Sequence, residues 1–340
     1  MAERRLRASA TGLGSWPGRD TAEAIRTIRG ELGDPHVPFL PELPDRGVGS
    51  DPVGRTGSLL VELAIDVQPH GWRLVDRPGK DLQRARSLLA SDINVLADVA
   101  GAEDVPAKEL KIRLMGPMSL AAGLYLHNGE RALLDYGARR DIAGSLAAGV
   151  SEHLHRVRAA VPGADIVVQL DEPDVAAVMA GTIPTASGYR TLRSVPREEV
   201  TSAWRLVLEA LKEAGAVETV IAVPEIEAPI ERILSAGADG VAVPLKALTT
   251  RQWEQLAAAV EAGKSVWAGA LPTETPLPRT AAIVENIWRP WRQLGLPAAS
   301  LSSLRVTPSG GLDTMVPAEA KAALTKLTHV ADGLDQLAQG

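Results

Sequence analysis

A single (β/α)8 barrel with a longer excursion after its second strand is the fold the sequence predicts, on three observations. Short runs rich in Val, Ile and Leu alternate with longer stretches of helical period, the pattern of parallel strands buried by crossover helices. Eight such strand–helix pairs fit into the 340 residues, the number a closed barrel needs. Nearly every apolar run then ends in proline or glycine, which stop a strand sharply and fix the direction in which the chain leaves it. A doubly wound sheet is the rival and requires fewer strands.

The strands are expected at 8–14, 36–42, 110–116, 165–171, 218–223, 239–245, 265–271 and 303–307. Between and after them the helical period runs over 20–32, 82–100, 131–160, 197–214, 229–236, 251–262, 280–294 and 317–336. In the 197–214 segment, Leu206, Leu208 and Leu211 with Val207 and Ala210 form the apolar face, leaving Arg205, Glu209, Lys212 and Glu213 to water. Residues 47–79 are the longest irregular stretch and hold Asp51, Arg55 and His70. No low-complexity linker interrupts the pattern, so residues 1–340 are read as one domain.

Composition narrows the function. Hydrophobic residues are 45% and charged residues 23%, which excludes a disordered chain or a long charged tail. A formal charge of −6 gives no reason to expect a nucleic-acid partner. The chain has no cysteine, so disulfides, thiolate nucleophiles and thiolate metal ligands are excluded together. The basic start, Met1 to Arg7, is not followed by an apolar core, and no stretch has the length of a membrane span, so a cytoplasmic protein is expected.

A barrel carries its active site at the carboxyl ends of the strands, so the residues after each run matter most. Gly14-Ser15 offers two backbone N–H groups and a hydroxyl, enough to hold a carboxylate. Glu42 follows the second strand and needs a partner if buried, such as a ligand amine. Asp171 and Glu172 end the fourth strand on opposite sides, so one of them enters the mouth, to hold an ammonium or move a proton. An N-cap role for Asp171 is the structural alternative. Glu225, Lys246 and Glu274 are weaker candidates at later tips. The histidines have no metal-ligand spacing, since His153 and His155 are two apart on a helix and face different directions. There is no Walker loop, nucleophile elbow or dinucleotide fingerprint.

Four motifs, in order, resemble the catalytic barrel of cobalamin-independent methionine synthase, within the superfamily that includes uroporphyrinogen decarboxylase. They are Thr11-Gly12-Leu13-Gly14-Ser15-Trp16-Pro17, Gly116-Pro117-Met118-Ser119-Leu120, Val168-Gln169-Leu170-Asp171-Glu172-Pro173 and Thr307-Pro308-Ser309-Gly310-Gly311-Leu312. The resemblance implies that Gly14 and Ser15 hold an amino-acid carboxylate and that Glu42 and Asp171 hold its amine. It does not carry the family's zinc, whose ligand positions fall on Ala222, Pro224, Pro244 and Gly310. The family's proton-donating histidine falls on Glu274. No cofactor is therefore expected, with methyl-folate left open as a methyl donor.

The expected function is zinc-independent group (methyl or alkyl) transfer or cleavage on an amino-acid-like small molecule. In that reading Glu274, Glu225 and Asp171 move protons, and Gly14, Ser15, Glu42, Asp171 and Glu172 bind the substrate. Two alternatives stay open: a zinc-dependent homocysteine S-methyltransferase with displaced ligands, and a catalytically silent amino-acid-binding protein.

Overall fold

Seven parallel strands curl into one sheet in the computed structural model, which describes residues 7–224, 229–246 and 248–340. In chain order the strands are β1 (Ser9–Ala10), the hairpin pair β2 (Ala64–Gln68) and β3 (Gly71–Val75), then β4 (Glu109–Met115), β5 (Asp165–Asp171), β6 (Glu218–Ala222), β7 (Gly240–Pro244), β8 (Ser265–Leu271) and β9 (Leu304–Pro308). The sheet order is β1-β9-β8-β7-β6-β5-β4, and β2-β3 stand apart as an antiparallel ribbon.

The open edges β1 and β4 are joined by the extended segment 37–42. The Val37 N–H donates to the Ala10 carbonyl, and Leu40 and Lys111 exchange bonds across β4 through the Lys111 and Pro38 carbonyls. Further up, the Glu42 N–H donates to the Gly14 carbonyl and the Trp16 N–H to that of Glu42. Predicted strand 36–42 is thus the eighth stave, reduced to isolated bridges because Pro38 and Pro41 have no N–H to give a ladder. The first strand also shrinks, from 8–14 to Ser9–Ala10, because Gly14 turns the chain at φ +133°.

The eight expected helices form, as α1 (Thr21–Glu31), α3 (Lys80–Gly101), α5 (Tyr136–Ala160), α7 (Arg197–Glu213), α8 (Ile230–Ser235), α9 (Thr250–Glu261), α10 (Thr280–Gln293) and α11 (Pro317–Gln339). Helix α5 starts five residues later than expected because the Asp135 carboxylate caps it, accepting from the Ala138 N–H. In α7, Leu206 is 42% exposed and Trp204 takes its place in the core, which corrects the expected apolar face. Three short helices, α2 (Pro52–Gly57), α4 (Pro117–Gly123) and α6 (Val175–Ala180), are too brief to show a period in the sequence. Residues 47–79, read as irregular, hold α2 and the β2-β3 hairpin. No helix among the described residues is long and apolar enough to cross a membrane.

Between strands and helices lies the main apolar core, while Val167, Val220, Ala242 and Trp267 form a separate cluster inside the barrel. Below it, at the amino ends of the strands, Arg305 pairs with Glu109 at 3.1 Å and Glu218 at 2.9 Å and lies over the Trp267 ring. Above it the interior turns polar, and there the site begins.

Candidate functional site

At the carboxyl ends of the strands a cavity of about 150 Å³ opens over Gln169 and Asp171. Its walls are mostly apolar, from Leu13, Val223, Ala242, Val243 and the prolines 224, 244 and 308, with hydroxyls from Thr307 and Ser309. Asp171 is the only acid in that lining among the described residues.

Behind Gln169 and Asp171, outside the cavity lining, stand two basic side chains from β4. Lys111 and Arg113 alternate with Leu110, Ile112 and Leu114, so one face of the strand carries the charges and the other packs outward. Lys111 is fully buried and donates to Gln169 Oε1 at 2.8 Å, between the Phe39 and Trp267 rings. Burial pulls its pKa down to about 7, against the opposing charge of Asp171. The Gln169 amide in turn donates to Asp171 Oδ1 and to the Leu13 carbonyl.

Arg113 occupies the space between the two acids expected to hold a ligand amine. Its Nε donates to Asp171 Oδ2 at 2.5 Å and its Nη1 to Glu42 Oε2 at 2.9 Å. Although burial works against the guanidinium, Asp171 and Glu42 more than offset it and hold its pKa above the ordinary value. The chain continues behind Glu42, which lies 3.7 Å from Arg55, and Arg55 and Arg46 converge on the buried Asp92. Burial alone raises the Asp92 pKa, but the hydrogen bonds from Arg46 and the charge of Arg55 prevail and hold it below the usual carboxylate range.

The expected cradle residues are therefore brought together, but around a side chain of the protein itself. Gly14 lies against the Arg113 stem, where a Cβ would stand 2.6 Å from Cδ, so a side chain at this positive-φ position is excluded twice over. The hydroxyl of Ser15 lies against Gly311, where a Cβ would stand 2.2 Å from it, and Ser15 bridges to Glu42. Neither Gly14 nor Ser15 nor Glu42 lines the cavity.

Glu172 points away from the mouth, which corrects its expected substrate-binding role. Fully buried, its carboxylate accepts from the Met118 N–H at 3.1 Å, the Ser119 N–H at 2.7 Å and Trp204 Nε1 at 2.8 Å. It is the cap of α4, and burial pushes its pKa up to about 7 despite those bonds. Glu274 and Lys246 are exposed, outside the cavity lining. Glu225 lies outside the described residues. Gln169, Arg113 and Lys111 were missed, although the alternation of charge in β4 signals the last two: both faces of a barrel strand are covered, so a basic face has to enter the barrel.

The positions that the resemblance gives to zinc, Ala222, Pro224, Pro244 and Gly310, offer no donor side chain. Among the described residues no cluster of three His, Asp or Glu could hold a metal ion. The donor set among the described residues does not fit zinc.

Residues 8–333 match the model of a family described as cobalamin-independent synthase, catalytic domain. No functionally curated protein matches the sequence. Among solved structures, a B12-independent methionine synthase from a Shewanella species in complex with selenomethionine is similar with a TM-score of 0.59 and 13% identity, covering 97% of this chain and 98% of that one. A putative vitamin-B12 independent methionine synthase from Listeria monocytogenes gives 0.54 and 14%, covering 97% and 99%. A methyltransferase from Methanosarcina mazei gives 0.56 and 12%, covering 97% and 94%. At these identities the structures establish the shared fold.

Proposed function

Because the chain belongs to the cobalamin-independent synthase catalytic-domain family, we propose that it binds a small amino-acid-like molecule at the carboxyl mouth of the barrel, without zinc. The observation that carries this reading is the placement of Asp171 on the cavity wall, held in one orientation by Arg113 and Gln169. A carboxylate oxygen accepts more than one hydrogen bond, so Asp171 keeps acceptor capacity toward the cavity. The apolar walls suit a short aliphatic or thioether side chain. Selenomethionine in the Shewanella structure is a ligand of that size. The family match over 8–333 supports reading residues 1–340 as one domain.

Binding is supported more strongly than turnover. Zinc would turn a thiol into a thiolate at neutral pH and hold it for attack. Without such activation a thiol of pKa about 8.5 is mostly protonated at neutral pH. Glu274, expected to move protons, is exposed, and Asp171 is committed to an ion pair. This favours the silent binding protein over zinc-independent group transfer.

The test is calorimetry and thermal shift with methionine, homocysteine and their α-hydroxy analogues, with and without a chelator. Saturable binding that survives chelation and is lost in Asp171→Asn is expected. Zinc-dependent methylation of homocysteine, or no binding by any of these compounds, overturns the reading.

A further inference from the structure

Behind the site, where α2, α5 and β4 meet the 37–42 stave, lies a second cavity, of about 10 Å³. Its walls are leucine and isoleucine side chains, except for Glu42, Arg55, Arg113 and His153. That is room for about one water molecule, which a protein interior retains where about two to four polar groups hold it. Glu42 is satisfied on one side only. Its Oε2 accepts from Arg113 Nη1 at 2.9 Å, while its Oε1 stands 3.7 Å from Arg55 Nε, too far for a direct hydrogen bond. A polar gap wider than about 3.5 Å is the kind of contact that water bridges. The third polar group is His153, a buried side chain whose Nδ1 has no hydrogen-bond partner among the described residues. Burial and the charge of Arg55 pull its pKa down to about 3. The ring is therefore neutral, with one nitrogen a donor and the other an acceptor. A buried polar atom left without a partner is costly, so the orphaned Nδ1 calls for one.

We propose that this cavity is a hydration site for one ordered water molecule, which donates to Glu42 Oε1 and His153 Nδ1 and accepts from Arg55 Nε–H. The two hydrogens of the water then meet two acceptors, and one of its lone pairs meets a donor. His153 carries its own proton on Nε2 in this arrangement. Through the water, α5 joins the chain of contacts that runs from Glu42 through Arg113 to Asp171. Glu42 is held at both oxygens, which fixes the acceptor that Arg113 leans on. The inference concerns the support behind Asp171 and stands whether or not the cavity at the mouth takes an amino-acid-like ligand.

Two measurements on the wild-type protein test it: a crystal structure at a resolution that shows ordered solvent, and the 15N chemical shifts of His153 at neutral pH. Expected are a single water within hydrogen-bond distance of His153 Nδ1, Glu42 Oε1 and Arg55 Nε, and shifts of a neutral imidazole protonated on Nε2 with Nδ1 accepting a hydrogen bond. A cavity free of solvent density, closed by direct contact between Arg55 and Glu42, overturns the inference. A water that touches Glu42 and Arg55 but not His153 overturns the link to α5, as does a His153 protonated on Nδ1 or on both nitrogens.

Discussion

Lys111 carries an ammonium into the barrel interior with one hydrogen-bond partner, Gln169, and its charge state is coupled to the stability of the fold. Its folded pKa of about 7 lies below the unfolded value of about 10.4. Between those values the unfolded chain holds the proton and the folded chain does not, so stability rises with pH from about 7 to about 10. Lys111→Met should remove that rise, a difference on the order of a few kcal/mol between the two ends of the window. Chemical denaturation across that range measures it, and parallel pH profiles for both proteins would contradict the assignment. Asp92 gives a second prediction at this scale. It is fully buried and receives three hydrogen bonds from Arg46 and Arg55, so Asp92→Ala should destabilise by about 3–5 kcal/mol by leaving Arg46 without a carboxylate and Arg55 with Glu42 alone. A loss under about 1 kcal/mol in the denaturation midpoint would show the network to be dispensable.

The element most dependent on one side chain is α4. Its first N–H groups are satisfied by Glu172, and Gly116 has no Cβ where that carboxylate packs. Glu172→Ala leaves two backbone donors and the Trp204 indole without their acceptor, which should cost about 2–4 kcal/mol. Amide exchange at Met118 and Ser119 should accelerate in the same variant, and unchanged exchange there would argue against the cap. The Glu172 pKa has the opposite consequence to that of Lys111. Raised to about 7, it makes the folded state hold an extra proton above the unfolded carboxyl pKa of about 4.3, so this group's contribution falls as pH rises from there to about 7. From the sequence, Asp171-Glu172 showed that two acids leave β5 on opposite sides. It did not show which one enters the mouth, because the seven-residue α4 that claims Glu172 has no readable period.

Across the whole molecule, the barrel was legible because strand and helix periods, and the proline or glycine after each run, survive in the sequence without reference to any partner. Closure by 37–42 was legible as a stave but not as a broken ladder, since the effect of Pro38 and Pro41 depends on which neighbours their missing N–H groups would have met. The hairpin in 47–79 escaped because its Pro69-His70 connection is not a favoured two-residue turn. At the site, Gly14, Ser15, Glu42 and Asp171 were picked out one by one, but the side chain that gathers three of them, Arg113, lay in a strand and not at a tip. A barrel closed by 37–42 should show amide protection at Leu40 and Lys111 comparable to that of β5, and fast exchange at both would mean that the stave opens. The most direct measurement is a crystal structure of the protein soaked with methionine, with data collected at the zinc absorption edge. The account predicts ligand density in the cavity within hydrogen-bond distance of Asp171, Arg113 still between Glu42 and Asp171, and no anomalous peak. A zinc peak in the cavity, or a ligand bound elsewhere with the cavity empty, would contradict it.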